Sequence, residues 1–246
     1  MPQNLLILGG TTEASSLAHI ISKTEFNATI SYAGRVERIR QQPIQIRIGG
    51  FGGVDGLSSY IISNGITHLV DATHPFAAQM SQNAILACQK TNIPLAALTR
   101  PQWQKQKADN WHLVPDIEAA AEALDGDPKR VMLAIGRMHL AQFYNNLQHF
   151  YLLRLVDRPE VPPAFPNQVI EVSRGPFTTV QDTLLLSKYK IDLIVAKNAG
   201  GKAAYAKIEA ARQLEIKVIM IERPVIADRL TFYNSEEVVH WISVSG

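Results

Sequence analysis

Short apolar runs alternate with helical patterns along the whole chain, and this alternation limits the fold more than any other feature of the sequence. "NLLIL", "ATISY", "IQIRI", "HLVDA" and "PLAAL" read as strands in the first half, separated by helix-like "TEASSLAHIIS", "VDGLSSYIIS" and "FAAQMSQNAILACQK". That order predicts an α/β fold, a parallel sheet covered by helices. After "RPQWQKQKADNWHLV" the pattern begins again, with strands "RVMLAI", "FYLLRL", "QVIEVS", "DLIVAK" and "KVIMIE" and helices "HLAQFYNN", "TTVQDTLLLSKY" and "GKAAYAKIEAARQL". Two α/β halves follow. Gly, Pro and charge cluster in "ALDGDPKR", residues 123–130, so the expected domains are 1–125 and 126–246. "RPEVPPAFPN" carries four prolines but is flanked by strand-like sequence, and reads as a rigid loop rather than a linker.

Composition narrows the function classes. With 246 residues, 46% of them hydrophobic, the chain can bury one large core or two modest ones. The formal net charge of +2 comes without a Lys/Arg block, which argues against nucleic acid as a partner. Cys88 is the only cysteine, so a disulfide framework and a multi-Cys metal centre are both excluded and no metal is expected. No apolar run reaches membrane-spanning length, and the first strand begins too early for a secretory signal, so a soluble cytoplasmic protein is expected, with no membrane partner.

In open parallel sheets ligands sit at the carboxyl ends of strands, where a turn leads into a helix N-terminus that favours an anion. Gly9, Gly10, Thr11 and Thr12 occupy such a turn, with Glu13 in the first helical turn. Glycine admits a phosphate close to the backbone, and the hydroxyls can donate to it. The same residues also fit a plain tight turn with Thr11 as N-cap. Where an NAD site would place an acid, the second strand is followed by "AGRVER", with Arg35 after Gly34; a 2'-phosphate suits that arginine, as does simple solvation. "GGFGGVDGL" places Gly49, Gly50, Gly52 and Gly53 at another strand-to-helix junction. "VDATHPFA" places Asp71, Thr73 and His74 at a strand end, with Pro75 suited to the first helical position. "VAKNAGGKAAYAK" brings Lys197, Asn198, Gly200, Gly201 and Lys202 to a turn in the second half. It lacks the P-loop spacing, so triphosphate hydrolysis is not supported.

"ILGGTTEA", "GGFGG", "VDATHPFAAQMSQNA", "RPQW", "IGR", "SRGPFT" and "KNAGG" followed by "AARQL" resemble the precorrin-6A reductases of cobalamin biosynthesis. The resemblance spans nearly the whole chain in the family's order. It implies two Rossmann-like domains with the substrate in a cleft between them, and hydride transfer from NADPH, with NADH as the other option, to a double bond of precorrin-6A or its cobalt complex. By it, Gly9, Gly10, Thr11, Thr12 and Glu13 would meet the coenzyme, Arg35 would lie near the adenosine phosphate, and Gly52 and Gly53 would approach it. Asp71, Thr73, His74 and Phe76 would sit toward the nicotinamide. The turn holding Asn198, Gly200 and Gly201 would face the substrate.

The macrocycle implied by the resemblance carries many carboxylates, which arginines and lysines bind by charge-assisted hydrogen bonds. Arg100, Arg137, Arg154, Arg174, Lys197 and Lys202 all lie at or just past expected strand ends, whereas Arg158 belongs to the proline-rich loop. Reduction also needs a proton, from His74, Lys197, Tyr205 or water. Ala199 departs from the family, which commonly has Ser there, and puts a hydrogen bond from that position in doubt. Two other readings use the same turns: an NADP(H)-binding regulator or sensor without turnover, and a protein whose glycines only make turns. The first does not account for a second half that presents its own polar, glycine-rich turn, and the second does not account for glycines that coincide with the ligand edge at several strands.

Overall fold

The computed structural model describes residues 3–34 and 41–245. It begins with β1 (Asn4–Leu8), α1 (Thr12–Ile21), β2 (Asn27–Tyr32), β3 (Gln45–Ile48), α2 (Gly53–Ser63), β4 (His68–Asp71), α3 (Ala78–Thr91) and β5 (Leu95–Leu98). There follow β6 (Trp111–Val114), α4 (Ile117–Glu122), β7 (Arg130–Ala134), a 3-10 helix (Arg137–Phe143), β8 (Phe150–Leu155) and β9 (Gln168–Val172). The chain ends with α5 (Thr179–Lys188), β10 (Leu193–Lys197), α6 (Ala206–Gln213), β11 (Lys217–Ile221), β12 (Leu230–Phe232) and α7 (Ser235–Val244). Contacts divide it into two compact units, Met1–Pro101 with Val225–Gly246, and Gln102–Pro224.

The first unit holds a six-stranded sheet in the order β12-β5-β4-β1-β2-β3, parallel throughout. The order reverses between β1 and β4, the central pair. A central parallel strand is covered on both faces, and β1 follows that rule. Its alternate residues Leu5 and Ile7 pack with Leu17 and Ile21 of α1 and Val238 and Ile242 of α7. Leu6 and Leu8 pack on the other face with Leu57 and Ile61 of α2 and Ala84 and Cys88 of α3. Each fully buried Leu or Ile contributes about 1.5–3 kcal/mol. Burial pushes the Cys88 thiol up to about 12, so it acts as a packing group.

The second unit repeats the plan in the order β6-β11-β10-β7-β8-β9, again parallel, with the reversal between β7 and β10. Met132, Leu152, Ile194, Val218 and Met220 pack on one face with Leu186, Ile208 and Ala211. Both sheets are of the doubly wound α/β class expected from the alternation.

The expected boundary at 125/126 falls inside the second unit, between α4 and β7. Strand pairing is what decides membership. β6 runs parallel to β11, Trp111 opposite Val218, and so belongs to the second sheet; β12 pairs with β5, Leu230 opposite Ala96, and returns to the first. Each unit boundary falls after an Arg-Pro pair, Arg100-Pro101 and Arg223-Pro224. Proline offers no N–H to a ladder and holds its predecessor extended, which suits a segment leaving a sheet.

Three expected helix bounds also shift. Pro75 and Phe76 form a turn, with the His74 carbonyl accepting from Ala77 N at 2.7 Å, so α3 begins at Ala78 and Pro75 is not its first residue. The segment after Gly201 turns before α6 starts at Ala206, so Lys202 precedes the helix. "HLAQFYNN" lies largely in the 3-10 helix. Among the described residues no helix is long and apolar enough to cross a membrane.

Candidate active site

At the reversal of the first sheet, the turn after β1 meets the turn after β4. Gly9 donates to Ser31 O at 2.9 Å, and a Cβ there would stand 2.9 Å from Ile30 Cγ1 and 3.1 Å from the Tyr32 ring, so the position must be bare. Gly10 differs: its φ is +124°, and a Cβ would meet nothing within 4 Å. Thr11 caps α1 by accepting from Ala14 N at 3.1 Å, and its hydroxyl donates to Ala72 O at 2.8 Å. That hydroxyl therefore ties the two turns together. Glu13 accepts from Arg100 Nη1 at 2.8 Å and from the Thr12 hydroxyl at 3.1 Å. The structure thus pairs a residue expected at the coenzyme with one expected at the substrate, and places Arg100 in the first unit. The N–H groups of the first helical turn have no intrahelical partner and carry the positive end of the dipole.

The loop after β3 is a second glycine surface. Gly49, Gly52 and Gly53 have φ of +121°, +82° and +83°, and a Cβ at any of them or at Gly50 would meet nothing within 4 Å. Arg47 holds the loop from within β3. Its Nη1 donates to Gly49 O at 2.5 Å and to Ser31 Oγ at 3.2 Å, and its Nη2 donates to Gly50 O at 2.9 Å. The guanidinium lies 3.8 Å from the Phe51 ring centroid. Gly56 lets the loop close on α2, since a Cβ there would stand 1.7 Å from Phe51 O. Sequence reasoning missed both; the available signals were an arginine inside an apolar strand run and a fifth glycine in "GGFGGVDGL".

After β4, Asp71 is an anchor. Its Oδ1 accepts from Thr73 N at 3.1 Å and Thr73 Oγ1 at 2.6 Å, and its Oδ2 accepts from Ser81 Oγ at 2.6 Å with Arg229 Nη2 at 3.0 Å. The carboxylate is 1% exposed and fully engaged, so Asp71 supports the turn that carries Thr73 and His74 rather than offering a free acceptor. The His74 Nδ1 accepts from Phe76 N at 3.2 Å, which places the proton of a neutral ring on Nε2. Arg35 lies outside the described residues.

The edge of the second sheet is finished with side chains. Lys197 ends β10, and burial lowers its ammonium to about 8. Asn198 is buried, accepting from Trp103 N at 2.8 Å and donating to Trp103 O at 3.1 Å. Trp103 Nε1 donates to Gly201 O at 2.7 Å, and Arg223 donates to the carbonyls of Asn198 at 3.0 Å and Ala199 at 2.9 Å. Gly200 and Gly201, at φ of +70° and +72°, complete this braced turn. Ala199 is buried in the same cluster as Trp103.

The expected carboxylate-binding arginines separate into two kinds. Arg154 is interior: both Nη atoms pair with Asp182, at 3.1 and 2.5 Å, and its side chain is 9% exposed. Its guanidinium fastens β8 to α5, which corrects the expectation of a substrate arm. Arg137 stands exposed just past β7, and Arg174, just past β9, pairs with Asp157 at 2.5 Å while remaining 42% exposed. Lys202 is exposed on the rim of a cavity of about 780 Å³ in the second unit, which Tyr205, Trp103 and Phe177 also line.

The first edge offers open backbone at Gly10, Gly49, Gly50, Gly52 and Gly53 together with a helix N-terminus, and such a cradle fits a dinucleotide pyrophosphate. Fold and cradle together define a dinucleotide-binding protein of the Rossmann class. The chain belongs to the precorrin-6x reductase CbiJ/CobK family, whose model matches residues 4–243. It is 50% identical over 242 residues to the precorrin-6A reductase of Rhodobacter capsulatus, covering 98% of this chain and 96% of that protein. The cobalt-precorrin-6A reductase of Priestia megaterium is 32% identical over 248 residues, covering 96% of each chain. A solved structure, "CobK precorrin-6A reductase", matches with a TM-score of 0.93 at 50% identity, covering 98% of this chain and 96% of that one. Membership of a reductase family implies a nicotinamide coenzyme.

Proposed function

We propose that the chain reduces precorrin-6A, or its cobalt complex, at a ring double bond with NADPH as the reductant, as a cytoplasmic enzyme of corrin-ring biosynthesis. The observation that carries this reading is the open glycine cradle at the reversal of the first sheet, in a chain that belongs to a reductase family. When bound, the nicotinamide supplies the hydride. The backbone of Gly10 and the first turn of α1 would hold the pyrophosphate, Gly52 and Gly53 would take the adjoining stretch, and Arg35 would take the 2'-phosphate. His74, in the turn after β4, would lie toward the reacting ring.

Of the cations expected at the substrate, Arg137, Arg174 and Lys202 are the exposed ones in the second unit, and bind the carboxylates of the macrocycle. Lys197 is the proton donor of choice among Lys197, His74 and Tyr205. An ammonium lowered to about 8 is still largely protonated near neutral pH, yet gives up its proton far more readily than an ordinary lysine.

The test is anaerobic oxidation of NADPH and of NADH, followed at the nicotinamide absorbance, with precorrin-6A and then with its cobalt complex. Consumption that depends on one tetrapyrrole supports the reading and selects the substrate. If NADPH binds but is not consumed with either compound, the chain is a coenzyme-binding regulator. The donor has its own signature. Because the protonated form acts, kcat falls as pH rises through about 8. Lys197→Met lowers kcat by about a hundredfold and removes that limb. A limb that persists in the variant assigns the proton to another group.

A further inference from the structure

Tyr205 stands at the N-cap position of α6 and lines the cavity of about 780 Å³ with Trp103, Gln106, Phe177, Thr178 and Lys202. Its hydroxyl oxygen receives two donors, Arg212 Nη2 at 2.8 Å and Gln106 Nε2 at 3.3 Å. Both donors are set by one acid. Asp109, whose side chain is 1% exposed, accepts from Arg212 Nε at 2.8 Å and Nη2 at 3.4 Å, and from the Gln106 backbone N at 2.7 Å. The hydrogen bond to Asp109 holds the Arg212 guanidinium above its ordinary range, so it remains a cation.

A phenol oxygen can accept from these two donors and still has one proton to give. Among the described residues nothing accepts the Tyr205 proton, and Tyr205 lines a cavity large enough for a substantial part of a ligand. The other charged groups on the wall are Lys105, Lys202 and Glu209. Glu209 already accepts from the Thr179 hydroxyl, and Lys105 donates to Trp111 O at 3.2 Å. The wall therefore combines aromatic surface, a cation at Lys202 and an O–H polarised by a neighbouring guanidinium. Such a donor matches an anionic oxygen on an otherwise apolar body.

We infer that Tyr205 is a recognition donor for a side-chain carboxylate of the tetrapyrrole, and that Arg212, with Asp109 behind it, is the positioning residue that turns the hydroxyl toward the ligand. This rests on the reductase reading. It makes a neutral side chain part of substrate selection and keeps Arg212 out of contact with the substrate.

The experiment titrates precorrin-6A anaerobically, without coenzyme, into wild-type protein and variants, and follows the tetrapyrrole absorbance; turnover and NADPH affinity are measured alongside. Tyr205→Phe keeps the ring and removes only the O–H. It is expected to weaken tetrapyrrole binding by about tenfold, raise KM equally, and leave saturated kcat within about twofold and NADPH binding unchanged. Arg212→Met should show the same KM effect, Arg212→Lys should recover part of it, and the double variant Tyr205→Phe/Arg212→Met should be no weaker than the worse single one. Wild-type affinity in a folded Tyr205→Phe overturns the inference. So does a fall in kcat at unchanged KM, which would make Tyr205 a proton donor, and so do additive losses, which would give Arg212 its own contact. Tighter binding in Gln106→Leu also overturns it, because the amide oxygen would then be the acceptor of the Tyr205 proton. If wild-type protein binds the tetrapyrrole with the Tyr205 dependence described but consumes no coenzyme, the inference stands and the reductase reading fails.

Discussion

The two sheets share one order around a reversal but finish their edges in opposite ways. After β1, the central strand of the first, the chain turns through bare Gly10 into α1, a ten-residue helix whose N-terminus attracts anions. After β7, the matching strand of the second, it turns through Gly136 into a 3-10 helix, Arg137–Phe143. Across the first reversal lies a turn anchored beneath by Asp71; across the second lies a turn covered by Trp103 and braced by Arg223. In one unit the edge presents bare backbone, and in the other it is finished with side chains. A doubly wound sheet supplies a place for a ligand, and the filling of that place decides which ligand it takes.

The sharpest way to break this comparison is to fill the first cradle. Gly10→Val puts a branched side chain where φ is +124° and where the surroundings are open for 4 Å. The backbone conformation costs on the order of 1–3 kcal/mol, which a folded domain tolerates. The pyrophosphate has no such tolerance. Coenzyme affinity is expected to fall by about a thousandfold or more while tetrapyrrole binding persists, measured by titration on protein whose circular dichroism matches wild type. Retained coenzyme binding would reduce the Gly9-Gly10 turn to a structural device like that of the second unit.

A smaller effect tests the division of the arginines. Removing one partner of a buried ion pair leaves the other charge without compensation, at a cost of about 3–5 kcal/mol. Arg154→Met should therefore lower the urea midpoint strongly, because Asp182 is left 2% exposed and unpaired. KM for the tetrapyrrole should not move in the folded fraction. If KM rises while stability holds, Arg154 reaches the ligand and the second edge is more open than its packing indicates.

Much of this architecture was legible because local pattern determines it. Phe150–Leu155 and Asn4–Leu8 form strands at the bounds read from the sequence, and Thr11 caps a helix whose first turn carries Glu13. Two strands escaped notice, β6 and β12, of four and three residues, each with at least two exposed positions. Both occupy the outermost place of a sheet, and neither has an apolar run to announce it. Their partners lie over a hundred residues away, Trp111 against Val218 and Leu230 against Ala96, so the unit boundaries were hidden with them. At the site, glycine positions were readable because bare backbone is a property of residue type. The engagement of Asp71, Arg154 and Asn198 was not, since a sequence does not reveal whether a polar group has found its partner.

The finest distinction between the edges lies one strand out from the centre. In the second sheet β8 is followed by Asp157, the type of residue that binds ribose hydroxyls in NAD sites, and here it is paired with Arg174 at 2.5 Å. In the first sheet the corresponding strand, β2, is followed by Gly34 and Arg35 with no acid before them. A guanidinium binds a phosphate dianion by charge-assisted bonds, and an unphosphorylated ribose offers it nothing comparable. Arg35→Ala should therefore raise KM for NADPH by about tenfold and leave KM for NADH nearly unchanged, in steady-state assays with saturating tetrapyrrole. Equal losses for the two coenzymes would remove Arg35 from the 2'-phosphate and leave the choice of coenzyme to the glycine cradle itself.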